Sequence, residues 1–302
     1  VRELTRKCFM NGIRIKNVQH LSKKNGRNAI VFQARTVGRS CVAAKKVVPV
    51  LTEVLRSGYY PDDSNRRIIN EEYHQYIFIQ EDRFKLLSGV ARMNKGKSHF
   101  NGDNFLISRL ECGKAIAAIA DGMGSGKRAY IESRMVIELM ENCIDAGFDE
   151  KASIDLINSA YIAGGGTGNP VTMDMSVIDC QSGYMHCMKL GAVSTFIRRD
   201  KWVEIIQSTT LPMGVLEQVD YDCTTKKLYD GDYIVMVSDG VLDNIPCVNK
   251  EERMAQMIHA LTIREPSAMA EKLLEQSLAY NDMKASDDCT VLVLGLFDTY
   301  EK

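Results

Sequence analysis

The sequence predicts an α+β fold in which two antiparallel sheets pack face to face with paired helices outside them. Three observations lead there. Residues 127–146 and 151–163 carry apolar side chains at helical spacing and follow each other directly. A run of period-two segments comes next, at 173–180, 184–191, 193–198, 202–207, 220–227 and 233–237, joined by turns such as Gln181-Ser182-Gly183 and Asp230-Gly231-Asp232. A second helix pair, 250–262 and 268–281, precedes a last apolar strand at 290–297.

The earlier elements are read in order. Residues 1–28 are polar and basic, with turn signals at Gly12, Asn25 and Gly26. Residues 29–34 read as a strand and 42–56 as a helix, with Pro49 either in its first turn or kinking it. A loop at 58–65 follows. This is expected to be a short N-terminal α/β regulatory or linker segment, residues 1–75, ahead of one larger domain, residues 76–302. In that domain 76–80, 84–91, 104–110 and 115–120 are predicted strands, and 94–101 is a glycine-containing loop. Gly147 is a plausible stop for the first helix, and Gly164-Gly165-Gly166 for the second.

Composition narrows the function classes. With 45% hydrophobic and 25% charged residues the chain reads as a soluble globular protein. No run approaches the roughly 20 apolar residues of a bilayer span. The chain begins at Val1 and is expected to be a cytoplasmic fragment, so the parent's membrane segments stay an open matter. Nine cysteines, an odd number with no CxxC pair, argue against a disulfide framework or a zinc site and for a reducing compartment. Residues 1–83 carry 16 Lys and Arg against 8 Asp and Glu, and the remainder 22 against 31. That acidic balance in the larger part speaks against a nucleic-acid substrate.

The chemistry is expected from four aspartates. Asp103 lies in Gly102-Asp103-Asn104, Asp121 opens Asp121-Gly122-Met123-Gly124-Ser125-Gly126, Asp239 lies in Ser238-Asp239-Gly240, and Asp287 in Ser286-Asp287-Asp288-Cys289-Thr290. Three of them adjoin apolar strand-like runs at 115–120, 233–237 and 291–296. A carboxylate at the end of a buried strand is costly unless something satisfies it. Several converging carboxylates suit hard divalent cations with oxygen ligands. The glycine-rich loop fails as a phosphate-binding loop, because Asp121 stands where a glycine belongs and Arg128 follows Lys127. It also fails as a dinucleotide fingerprint. The five histidines have no ligand spacing, and no GxSxG elbow occurs.

Together these motifs, in this order and rough spacing, resemble the metal-dependent (PPM, type 2C) serine/threonine protein phosphatases over about residues 84–298. Gly89-Val90-Ala91-Arg92, Gly38-Arg39-Ser40-Cys41, Leu190-Gly191-Ala192 and Pro212-Met213-Gly214 look like the sporulation branch of that family. Met123 departs from the histidine common there. The resemblance implies an α-β-β-α sandwich and two Mn²⁺ or Mg²⁺ ions. Asp121 would bridge the ions, the Gly122 carbonyl would ligate one, and Asp239 and Asp287 would hold the other. Asp103 would act nearby, directly or through water. The implied activity is hydrolysis of a phosphoserine on an anti-sigma-factor antagonist by activated water, controlling a sporulation sigma factor. The resemblance also implies a parent protein anchored in the cell membrane, contact with the cell-division machinery through upstream regions, and a homodimer. A competing reading is a phosphatase-like binding or regulatory module with weak catalysis.

Overall fold

Where apolar side chains alternate, a strand buries one face, and where they run on, it buries both. Both patterns occur in the computed structural model, which describes residues 1–22, 27–96, 99–110, 112–163, 169–200 and 202–299. Asn25, Gly26, the 164–166 glycines and Lys201 lie outside the described residues. The chain divides at Arg83/Phe84 into two units, Cys112, Gly113 and Thr299 returning to the first.

The first unit runs α1 (Arg2–Met10), β1 (Ile13–Ser22), β2 (Asn28–Thr36), β3 (Val42–Ala43), α2 (Val48–Leu55), β4 (Tyr59–Pro61), β5 (Ile68–Ile69) and β6 (His74–Gln80). Its main sheet has the order β1-β2-β6-β4, with β3 paired to β5. Leu4, Ile13, Phe32, Leu51, Tyr76 and Phe78 fill its core, and the Phe32 and Phe78 rings stack at 5.4 Å.

Three expectations shift here. The polar opening contains α1 and β1, whose buried residues are few and spaced by the element's own period. Helix α2 starts at Val48, since Pro49 lacks the N–H an interior position needs and fits only a first turn. The boundary drawn after residue 75 falls inside β6, which pairs with β2 from Ala34↔His74 to Ala29↔Ile79. A strand cannot be parted from its ladder, so the division comes at residue 83 instead.

The second unit runs β7 (Phe84–Met93), β8 (Asp103–Arg109), β9 (Lys114–Gly122), α3 (Lys127–Asp145), α4 (Glu150–Ala163), β10 (Val171–Asp179), β11 (Tyr184–Leu190), β12 (Thr195–Arg199), β13 (Trp202–Ile206), β14 (Asp222–Lys227), β15 (Tyr233–Val237), α5 (Asp239–Asp243), α6 (Lys250–Ala260), α7 (Pro266–Leu278) and β16 (Cys289–Asp298). Gly147, at φ +89°, stops α3, and the Phe148 N–H reaches back to the Cys143 carbonyl.

Two antiparallel five-stranded sheets result, β14-β11-β10-β9-β8 and β13-β12-β15-β16-β7. Ala117, Ile119, Ile178, Met185 and Cys187 of the first sheet meet Ile197, Ile234, Met236, Leu292 and Leu294 of the second. The second sheet's other face, with Val235, Val291 and Val293, packs on Met254, Ile258, Met269 and Leu273 of α6 and α7. Helix α3 lies on β8 and β9 and against α4. The order of layers is helices, sheet, sheet, helices, as predicted. Among the described residues no helix is long and apolar enough to cross a membrane.

Candidate active site

One end of the inter-sheet layer is polar. Asp103 opens β8 and Asp121 is the last residue but one of β9, and the two are Cα partners across the ladder. Both keep the parity of Ile119, which faces the second sheet. Asp103 is 1% exposed, and neither of its carboxylate oxygens has a hydrogen-bond partner of good geometry. Its backbone N–H is held by the Asn101 side chain at 3.0 Å. Gly122 follows at the strand end, where a Cβ would lie 2.3 Å from the Ala129 carbonyl oxygen of α3. Only glycine lets that helix approach so closely.

The second sheet supplies the other acids. Asp239 is the first residue of α5, directly after β15 and Ser238. The Ser238 N–H donates to the Thr290 carbonyl at 3.0 Å, and the Thr290 N–H to Ser238 Oγ at 2.9 Å. A Cβ on Gly240 would fall 2.1 Å from the Asp288 carbonyl oxygen, so α5 is pressed on the start of β16. Asp288 accepts 2.7 Å hydrogen bonds from the Lys95 and Gly102 backbone N–H groups, pinning both ends of the loop between β7 and β8. Asp287 faces Lys95 Nζ at 3.5 Å.

The structure therefore brings Asp103, Asp121, Asp239 and Asp287 to one end of the sandwich, two from each sheet. Burial pushes the Asp121 carboxyl up to about 9, and the charges of Asp103, Asp239 and Asp287 add to it. Burial pushes Asp103 up to about 7, the Thr290 and Ser238 hydroxyls opposing, and Asp239 and Asp288 adding. Burial also raises Asp239, with the Gly240 N–H opposing. Asp121 stands within hydrogen-bond reach of both Asp103 and Asp239. Among the described residues no three His, Cys, Asp or Glu side chains surround one point as ligands.

The donor set nonetheless fits a hard divalent cation. It is all oxygen, burial weakens its acids so that a bound cation would favour their ionised form, and the buried Asp103 oxygens lack a hydrogen-bond partner of good geometry. Sequence reading passed over the chemistry of Arg92, Thr290 and Ser238. The Arg92 guanidinium donates to the Asp103 backbone carbonyl and lies 5.5 Å from the Phe105 ring centre. The missed signal was parity, since Arg92 and Thr290 are polar at inward-facing positions of otherwise apolar strands.

Comparison with known proteins agrees with this architecture. A family model described as "Stage II sporulation protein E" matches residues 112–297. The chain is 29% identical over 286 residues to stage II sporulation protein E of Bacillus subtilis (strain 168), covering 94% of this chain and 34% of that protein. It is 30% identical over 253 residues to the protein of that name from Priestia megaterium, covering 83% and 43%. The chain thus spans less than half the length of these relatives. Among solved structures it is similar to the PP2C phosphatase domain and regulatory-domain fragment of the cell fate determinant SpoIIE from Bacillus subtilis. That likeness has a TM-score of 0.76 at 27% identity, over 99% of this chain and 87% of that one. RsbX in complex with magnesium shares the fold at a TM-score of 0.55 and 20% identity, over 72% and 97%. The fold is that of PP2C phosphatase domains.

Proposed function

We propose, from the premise that the chain belongs to the stage II sporulation protein E family, that it is a metal-dependent phosphoprotein phosphatase acting on phosphoserine or phosphothreonine. The observation that carries this reading is the meeting of four carboxylates from two sheets, Asp103 buried, Asp121 and Asp287 half-buried and Asp239 exposed, with no good-geometry partner for either oxygen of Asp103. Asp121, the Gly122 carbonyl, Asp239 and Asp287 would hold two Mn²⁺ or Mg²⁺ ions, with Asp103 beside them. Such ions supply an activated water and offset the phosphate charge.

The chain's own residues do the rest. Asp103 and Asp121 come from a rigid ladder, so their spacing is fixed before substrate arrives. Asp288 is spent on backbone N–H groups and holds the loop over the site. Lys95, at the rim beside Asp287, is placed to meet an incoming phosphate.

The substrate we propose is a phosphorylated anti-sigma-factor antagonist, and the first unit is read as the end of a regulatory region. Mn²⁺-dependent phosphate release from such a protein, compared with Asp121→Asn and Asp239→Asn, tests the reading. Metal-dependent turnover lost in both variants would establish it. A second reading is a regulatory module of weak catalysis, since among the described residues no three His, Cys, Asp or Glu side chains surround one point. Absence of turnover in the unmodified chain, with Mn²⁺ bound, would decide for that one.

A further inference from the structure

We propose that the buried ion pair of Asp174 and Lys189, together with the Thr195 hydroxyl, is a positioning device that keeps the two sheets in the alignment the carboxylate site needs. The proposal rests on the metal-site reading above. Asp174 is 2% exposed and Lys189 1%. Lys189 Nζ donates to Asp174 Oδ2 at 2.6 Å and to the Val193 carbonyl at 2.6 Å. The Thr195 hydroxyl donates to the same Asp174 oxygen.

Stability alone does not account for such a pair. Taking two charges out of water costs about as much as their attraction returns, and an apolar pair of similar volume is often at least as stable. Its place in the sandwich gives another reason. Thr172 stands opposite Asp121 on β9, and Asp174 opposite Ile119. The ion pair therefore lies one inward-facing step, about 7 Å along the strand, behind the site. Thr195 belongs to the other sheet, where it stands opposite Met236 of β15. Two residues on is Ser238, which bonds to Thr290 and precedes Asp239. The Thr195–Asp174 hydrogen bond thus joins the two sheets directly behind Asp121 and Asp239.

Lys189 also anchors a strap that reaches Gly122. Its backbone carbonyl accepts from the Thr210 hydroxyl at 3.0 Å, and the Gly191 N–H donates to that hydroxyl at 3.2 Å. Gly191 has φ +61°, and a Cβ there would lie 2.7 Å from Pro212. Met213 then pairs with Val171 through two backbone hydrogen bonds, 2.8 and 3.1 Å, and Val171 stands opposite Gly122. The Leu190-Gly191-Ala192 and Pro212-Met213-Gly214 motifs acquire a role as the two ends of this path.

The test compares the 302-residue chain with its Asp174→Leu/Lys189→Met double variant. Mn²⁺ alone is titrated into metal-free protein and the free ion read by electron paramagnetic resonance. Hydrolysis of a phosphoserine peptide and the thermal midpoint are measured alongside. The expected result is a midpoint at or above the unmodified chain's, Mn²⁺ affinity about tenfold weaker, and kcat about tenfold lower with KM within about twofold. If the unmodified chain binds Mn²⁺ and the folded double variant binds and turns over equally well, the positioning role is wrong and the site reading stands. An unmodified chain that binds no Mn²⁺ overturns both. Should the double variant not fold, Thr195→Val cuts only the tie between sheets. A severalfold loss of Mn²⁺ affinity there supports the proposal, and unchanged affinity rejects it.

Discussion

Asp103 and Asp121 face each other as direct partners across β8 and β9, two acids at the same level of one antiparallel ladder. Like charges so placed repel. The nearby cation gives the carboxylate a Coulombic attraction but no hydrogen bond, because Arg92 directs its guanidinium to the Asp103 backbone carbonyl. Burial, with the charges of neighbouring acids adding, keeps these acids from ionising freely.

Replacing Asp121 with a neutral amide should therefore stabilise the metal-free chain at a pH where Asp121 would otherwise ionise, above about 9, and should abolish activity. Asp121→Asn keeps the shape and removes a group that can ionise only against burial and its acidic neighbours. The expected gain is about 1 kcal/mol, or about 2–4 °C in thermal midpoint for a unit of this size. Activity should fall by at least about 10²-fold, since the electrostatic placement is lost. Thermal melts in chelator and phosphate-release assays in Mn²⁺ read the two effects. A variant both less stable and fully active would contradict the picture.

The same carboxyls fix the sign of the pH dependence. Asp121 rises to about 9 and Asp103 to about 7 from an ordinary 3.8, mainly through burial. Between about pH 4 and 9 the folded metal-free chain holds protons that the unfolded chain has released. Their contribution to stability is thus present at low pH and is lost as pH rises through the folded values. Metal-free melts should fall in midpoint from about pH 5.5 to 8.5. Mn²⁺ must displace those protons, so its stabilisation should grow over the same range. Calorimetry in two buffers of different ionisation enthalpy measures the protons released; none released at about pH 7 would count against carboxyls that burial keeps protonated.

Gly122→Ala and Gly240→Ala probe two tight joints. A Cβ would stand 2.3 Å from the Ala129 carbonyl oxygen in one and 2.1 Å from that of Asp288 in the other. The backbone must move in both. Each is expected to cost about 1–3 kcal/mol in denaturant unfolding. Mn²⁺ affinity should fall further than in a surface control such as Ser159→Ala, on the outer side of α4.

What the sequence made legible follows from period and punctuation. The long alternation after residue 171 and the helix pairs carry strong local signals, and the second unit matches them apart from the short α5, which was read only as an Asp-Gly turn. The four aspartates were found because each ends an apolar strand or opens a turn. Helix α1 and β1 were missed because their buried positions are sparse among charged residues. Strand β6 was recognised, but its membership depends on partners 40 to 50 residues earlier, and pairing leaves no local mark. Asp174 and Lys189 were passed over for a similar reason. A charged residue at an inward position of a strand looks like a lapse in the pattern until its counter-charge on the next strand is known.

Asn158 makes the last test, and it too was invisible to spacing. It sits fully buried on the inner face of α4, among Ile154, Ile157 and Tyr161. Its Nδ2 donates to the Leu216 carbonyl at 2.9 Å and the Glu217 carbonyl at 3.3 Å, and its Oδ1 accepts from the Gly214 N–H at 2.9 Å. One side chain thus satisfies three backbone groups of the strap that also pairs with Val171. Asn158→Ala should leave those groups unpaired at about 1–3 kcal/mol for the first, less for any that water reaches. Asn158→Asp keeps the acceptor, loses both donations and buries a charge, so it should cost at least as much. Denaturant unfolding gives the total. Limited proteolysis should show new cleavage within residues 211–217, because that segment then opens before the rest of the unit. Uniform loss of stability without new cleavage there would place the role of Asn158 in the α4 core instead.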